Sequence, residues 1–153
     1  PKTILTNKDD GSLSYTLIQH SMNEVSTIGI INKNNPTSLR LVKDKHCSYD
    51  AEDDLHIVEI KNRRSYYPTK MIEALKLFSN YQKAQLKNKV FIYVVTDVKG
   101  LYTFNISKHI DTIIASGIVK KEQPSKTDFK GGKTIMKFYY NLDEELSSFT
   151  YPH

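Results

Sequence analysis

Two stretches constrain this chain more than any other feature: Leu55-His56-Ile57-Val58-Glu59-Ile60-Lys61 and Lys89-Val90-Phe91-Ile92-Tyr93-Val94-Val95-Thr96. The first stays apolar on both faces until Glu59, and the second is rich in β-branched and aromatic residues, as expected of interior strands. Between them Met71, Ile72, Leu75, Phe78 and Leu86 fall on one helical face, with Lys76, Asn80, Lys83 and Lys87 on another. A helix of that length between two buried strands suits a right-handed crossover joining parallel neighbours. The chain therefore reads as α/β, a mixed central β-sheet flanked by helices.

The remaining elements follow from local chemistry. Asp9-Asp10-Gly11-Ser12 supplies cap residues for a helix from about Ser12 to Met22 or Glu24. Thr27–Ile31 reads as a short strand, and Leu39 to about Tyr49 as a second, separated by the turn residues Asn34-Asn35-Pro36. The acidic turn Asp50-Ala51-Glu52-Asp53-Asp54 leads into the Leu55–Lys61 strand, and Pro68-Thr69 opens the crossover helix. Asp97–Gly100 turns into a strand over Leu101–Ile106. Ser107 then caps a short helix carrying Ile110, Ile113 and Ile114, which Gly117 ends. A lysine-rich stretch containing Gly131-Gly132 precedes a last strand near Ile135–Tyr140.

A length of 153 residues fits one domain spanning 1–153, with the lysine-rich segment at 120–137 as part of it. No apolar run approaches the roughly 18 residues that cross a bilayer, and Pro1-Lys2-Thr3 begins no signal-peptide core. The single Cys47 excludes an internal disulfide and a cysteine-pair zinc site. A cytoplasmic protein without membrane contact is expected. The net charge of +5 favours a polyanionic partner.

Strand side chains alternate, so Leu55, Ile57, Glu59 and Lys61 share one face. A carboxylate and an ammonium thus emerge together at the end of an interior strand. Charge there is costly unless paired, hydrated or bound to metal. Hard oxygen ligands suit Mg²⁺, which keeps several waters and takes one or two carboxylates. The bland reading is a solvated ion pair on a surface strand, worth little.

Glu59-Ile60-Lys61 on a central strand, after an Asp-bearing strand and before a helix, resembles the PD-(D/E)xK nuclease superfamily, whose fold is restriction-endonuclease-like. The resemblance covers about Ser12 to Ile106. It implies a restriction-endonuclease-like core in which an Asp and Glu59 hold Mg²⁺ or Mn²⁺ while Lys61 contacts the attacking water or the scissile phosphate. It also implies a metal-dependent endonuclease acting on DNA, of restriction, homing or junction-resolving type, with RNA as a further substrate class. A chain of this size with one such site needs a homodimer or higher symmetric oligomer to cut both strands. The alternative is a catalytically inactive module of the same fold that binds nucleic acid or protein.

Which aspartate completes the site is open. If the turn occupies Asp50 to Asp53 or Asp54, antiparallel pairing brings Asp44 opposite Glu59, about 5 Å away. Lys43-Asp44 also stands where the family has Pro-Asp, and Asp44 is preferred. Asp50 is the alternate, and reaches Glu59 only if the hairpin turns tightly at Asp54-Leu55. The resemblance implies a further metal-associated acid, Glu24, at the end of the first helix, and in a subset of members a helical histidine, here His20. His46 and His56 lie on the hairpin, and His56 faces away from Glu59 by parity. Arg63, Arg64 and Lys70 lie in a basic, aromatic link beside the proposed metal, where side chains contact phosphates. Lys126, Lys130 and Lys133 are candidates for a nucleic-acid-tracking arm or β-ribbon.

Overall fold

The computed structural model describes residues 23–124 and 133–152. The helix expected over Ser12–Met22, His20 with it, and Lys126 and Lys130 lie outside the described residues. The elements in chain order are α1 (Glu24–Asn34), β1 (Arg40–Leu41), β2 (Ala51–Glu52), β3 (His56–Asn62), β4 (Lys70–Glu73), α2 (Ala74–Lys87), β5 (Val90–Thr96), β6 (Gly100–Asn105), α3 (Ile106–Ala115), β7 (Ile118–Pro124) and β8 (Thr134–Leu142). A 3₁₀ turn (Glu144–Leu146) and β9 (Ser147–Pro152) follow.

A six-stranded mixed sheet has the order β1-β2-β3-β5-β6-β9, and β4-β8-β7 form a second, three-stranded sheet. The two stretches that dominate the sequence are its centre: β3 and β5 pair in parallel, His56 opposite Val90 through Asn62 opposite Thr96. Every other pairing is antiparallel. Helix α2 crosses between the two parallel strands, as their spacing requires. On one face of the large sheet Val58, Ile60, Val94 and Leu101 pack against Ile28 and Ile31 of α1. On the other, Ile57, Phe91, Tyr93, Val95 and Phe104 meet α2, α3 and the second sheet through Leu77, Ile113, Ile72 and Leu142.

Three expectations are corrected. The stretch Thr27–Ile31 is helix, not strand. Asn23 caps it, its Oδ1 accepting the Ser26 amide at 2.9 Å while the Asn23 amide donates to Ser26 Oγ at 2.8 Å. That capping box, together with buried Thr27, Ile28 and Ile31 at helical spacing, outweighs the β-branched composition. The strand expected over Leu39–Tyr49 shrinks to Arg40–Leu41, because Asp44 and Cys47 close a turn through Cys47 N to Asp44 O at 3.1 Å. The crossover helix begins at Ala74 rather than Thr69, since Lys70–Glu73 pair with Leu142–Tyr139 of β8. Lys89–Thr96, Leu101–Ile106 and Ile135–Tyr140 fall where expected, within a residue or two at each end. So does α3, but its cap is Asn105, whose side chain accepts the Lys108 amide, while Ser107 Oγ accepts the Phe91 amide.

Candidate functional site: a carboxylate cluster beside a basic groove

The hairpin between β2 and β3 is tight. Asp53 N donates to His56 O at 3.0 Å, and Asp53 Oδ1 accepts the amides of Leu55 and His56 at 2.9 and 2.7 Å. Leu55 occupies the turn with its side chain in solvent, 65% exposed. The register that results sets Ala51 opposite Val58 and so brings Asp50 to Glu59. Asp50 N donates to Val58 O at 2.8 Å, and Asp50 Oδ2 takes the Ile60 amide at 2.8 Å. The preferred pairing of Asp44 with Glu59 is therefore not the one formed: Asp44 is exposed and its Oδ1 accepts the His46 amide at 2.9 Å. The aspartate beside Glu59 is Asp50.

Glu59 is only 13% exposed in its side chain, with Oε1 3.1 Å from Lys76 Nζ of α2. Its Oε2 is buried with no hydrogen-bond partner among the described residues. Loss of solvent first, and then the negative charge of Asp50, push the Glu59 carboxyl up to about 7, against the pull of Lys76. A proton on Glu59 also permits a hydrogen bond to Asp50. Glu24 is the first residue of α1, at that helix's N-terminal end. Its carboxyl is raised by loss of solvent and then by Asp50's charge. The charge of Asp50 thus acts on both Glu24 and Glu59.

Lys61 lies two residues beyond Glu59 on the same face, exposed, opposite Val95 of β5. His56 turns to Asp53 instead, Nδ1 to Oδ1 at 2.9 Å. His46 is exposed on the turn that Asp44 closes.

Sequence reading missed the clamp that holds Asp50. The polar face of α2 grips residues 48–52: Asn80 Nδ2 and Lys76 Nζ donate to Ser48 O at 3.1 and 3.2 Å, and Lys83 Nζ to Ser48 Oγ at 2.7 Å. Lys87 Nζ donates to Tyr49 Oη at 2.9 Å, and Lys89 pairs with Glu52 at 3.2 Å. The only signal was the segregation of these residues on one helical face, which equally describes a solvated helix.

Lys70 is corrected. Its side chain is 3% exposed, and the ammonium sits 2.7 Å from Glu144 Oε1 and 3.1 Å from Asp97 Oδ2. It also donates to Tyr67 O at 2.7 Å, and the rings of Tyr66 and Tyr102 flank it at 4.3 and 4.2 Å. A cation so caged is a lock between the 63–69 loop, the β5–β6 turn and the 3₁₀ turn, and it has no free face for a phosphate. Burial and then the charges of Asp97 and Glu144 push the Tyr102 phenol up to about 12.

Arg63 N donates to Thr96 O at 2.7 Å, and its guanidinium reaches the Tyr93 phenol. Arg64 is exposed, as is Lys133 at the start of β8. The lysine-rich segment forms, in its described part, an antiparallel ribbon with Lys121 opposite Lys137. That like-charge pair is unfavourable, and Lys137 is partly neutralised by Glu73 at 3.9 Å.

A groove of about 690 Å³ lies between the 63–70 loop, the end of β5 and the outward faces of β4, β7 and β8. Val95, Arg63, Tyr67, Lys121 and Gln123 are among the residues that line it. Val95 shares its sheet face with Lys61 and Glu59, since parallel partners in register point the same way. Tyr93, on that same face, feels the charges of both Glu59 and Arg63, so the Arg63 end of the groove is the one nearer the carboxylates.

The donor set is compatible with a hard divalent cation: Asp50 and Glu59 offer oxygens, one of them orphaned, and Mg²⁺ needs only one or two carboxylates. Among the described residues no three His, Cys, Asp or Glu side chains are gathered as a ready metal cage. No helix among them is long and apolar enough to cross a membrane. Comparison with family models, with curated proteins and with solved structures gives no match to this chain.

Proposed function

We propose that this chain is a metal-dependent endonuclease that hydrolyses phosphodiester bonds in DNA, with Asp50 and Glu59 as ligands of Mg²⁺ or Mn²⁺ and Lys61 as the basic group beside them. The observation that carries the reading is the hairpin register, which sets the carboxylate of Asp50 against that of Glu59 with Lys61 one pleat further on the same face. The order helix, three strands of the large sheet, β4 of the second sheet, crossover helix and parallel strand supports the restriction-endonuclease-like core that the sequence resembles, with β4 as an addition to it.

A divalent ion held by Asp50 and Glu59 would lower the pKa of a bound water and offset charge on the phosphate oxygens. The chain's own residues supply the rest. Asp50 is fixed by the Ile60 amide and by the α2 clamp on Ser48, so one ligand is oriented in advance. Glu59 must give up its proton to bind metal, and Lys76, 3.1 Å away, supports the ionised form. Lys61, on an exposed strand end, can approach a scissile phosphate and offset charge as the transition state forms. Two copies related by symmetry would be needed to cut a duplex in both strands.

The test is incubation with supercoiled plasmid and a cruciform substrate in Mg²⁺, Mn²⁺ or EDTA. Cleavage should require metal, and Glu59→Ala and Lys61→Ala should each abolish it while the fold survives. Wild-type cutting by either variant sinks the assignment. The Glu59–Lys76 pair favours a second reading, a non-catalytic nucleic-acid or protein module in which Lys76 fills the cation's place. Calorimetric titration with Mn²⁺ separates the two, because such a module has no reason to bind metal at Glu59.

A further inference from the structure

The groove beside the carboxylates has features that a site for double-helical DNA does not need. Its rim carries Tyr67, whose side chain is 57% exposed although the loop that bears it is pinned by Lys70 through the Tyr67 carbonyl at 2.7 Å. An aromatic ring held in solvent on a fixed backbone presents a face on which a planar group can stack. Along the opposite wall Val119, Lys121 and Gln123 alternate on one face of β7, placing an exposed ammonium between an aliphatic and an amide group. Arg63 lies at the end nearest Lys61, and Met71 and Val95 add apolar surface. Lys70 is held in its cage, and the other cationic side chains that line the groove are Arg63 and Lys121.

A basic track interleaved with an exposed aromatic ring is the chemistry of single-strand binding, in which bases stack and phosphates meet cations. In a duplex the base faces are already stacked on one another, and a lone tyrosine ring finds only edges and phosphates.

We infer that this groove seats an unpaired nucleic-acid strand, with Tyr67 stacking on a base and Lys121 and Arg63 on phosphates, and leads it toward Lys61. The inference rests on the nuclease reading for its direction. It fixes the substrate class as one with a single-stranded segment, such as a flap, an overhang or an opened junction.

The test is fluorescence anisotropy in EDTA, so that binding is read without cleavage and each idea can fail separately. The probes are labelled oligo(dT), labelled oligo(U) and a blunt hairpin duplex of matched charge. One of the single strands should bind more tightly than the duplex, and the stronger of the two identifies the sugar the groove accepts. Tyr67→Ala should weaken that binding on the order of 5- to 100-fold, as loss of one stacked base implies, while Tyr67→Phe keeps it. Lys121→Ala should flatten the logarithmic salt dependence by about 0.7. Duplex binding as tight as single-strand binding would overturn the inference. So would an unchanged Tyr67→Ala variant, or a Tyr67→Phe variant as weak as Tyr67→Ala, because then the ring does not stack.

Discussion

Glu59→Gln should stabilise the metal-free protein above neutral pH. In the folded chain the Glu59 carboxyl titrates at about 7 rather than near 4.5, first through loss of solvent and then through Asp50. The sign follows from proton binding. Between those two values the folded state holds a proton that the unfolded chain has released, so stability falls as pH rises from about 4.5 to about 7 and stays lowered above that. A separation of roughly 2.5 pKa units corresponds to about 3 kcal/mol at 1.36 kcal/mol per unit. Structure retained in the unfolded chain trims this to about 2–3 kcal/mol. Glutamine keeps the shape and never ionises. At pH 8 the variant should gain about 2–3 kcal/mol, or roughly 5–10 °C in Tm for a chain of this length, and at pH 5 it should match the wild type. Urea denaturation followed by circular dichroism at both pH values reads this directly. Added Mg²⁺ or Mn²⁺ should then stabilise the wild type by mass action and leave the variant unmoved. A variant no more stable than wild type at pH 8, or one with equal gains at both pH values, would refute the electrostatic reasoning.

Other substitutions test separate parts of the structure. Asp50→Asn should abolish metal-dependent cleavage and Asp44→Asn should leave it intact, a plasmid-nicking assay deciding between them. Lys70→Met should destabilise the fold by about 3–5 kcal/mol in urea titration, because it strands the carboxylate of Asp97, itself 1% exposed in its side chain, without its cation; near-wild-type stability would show that the cage contributes little. Asn80→Ala, at a fully buried position, should cost about 1–3 kcal/mol by leaving Ser48 with fewer partners, and should speed hydrogen exchange over residues 48–52 more than elsewhere.

The central strands were legible because burial on both faces leaves an uninterrupted apolar run, and β3 and β5 both have one. The crossover helix was legible from its length between two buried strands, but not its buried face: Met71 and Ile72 belong to β4, Leu75, Phe78 and Leu86 are exposed, and α2 buries Ala74, Leu77, Asn80 and Ala84 instead. Helix α1 was not legible, because Val25, Thr27, Ile28, Ile30 and Ile31 have strand propensity, and only the Asn23–Ser26 capping box and burial against Val58 and Ile60 decide otherwise. Strand β4 is four residues long and exists through β8, more than sixty residues later, so no local pattern announces it. Glu59 and Lys61 could be singled out by parity alone. The choice between Asp44 and Asp50 turned on the hairpin's length, and leucine's poor turn propensity at position 55 pointed to the longer loop. The three hydrogen bonds that Asp53 accepts from Leu55 and His56 make the shorter one. Lys70 looked like its basic neighbours because its counter-charges, Asp97 and Glu144, are distant in sequence.

The Lys70 cage also sets an order in which the molecule can be completed. Glu144 lies 74 residues after Lys70, and synthesis delivers the chain from its N-terminal end. While the ribosome still holds the later part, β3, α2, β5 and β6 can assemble around Lys70 with Asp97 as its sole carboxylate. The second carboxylate arrives with the 3₁₀ turn, immediately before β9 pairs with β6. The wall of the groove thus becomes rigid only after the hairpin and the central strands are in place. A nascent chain halted before residue 144 would carry the Asp50–Glu59 hairpin in place and the groove unfinished.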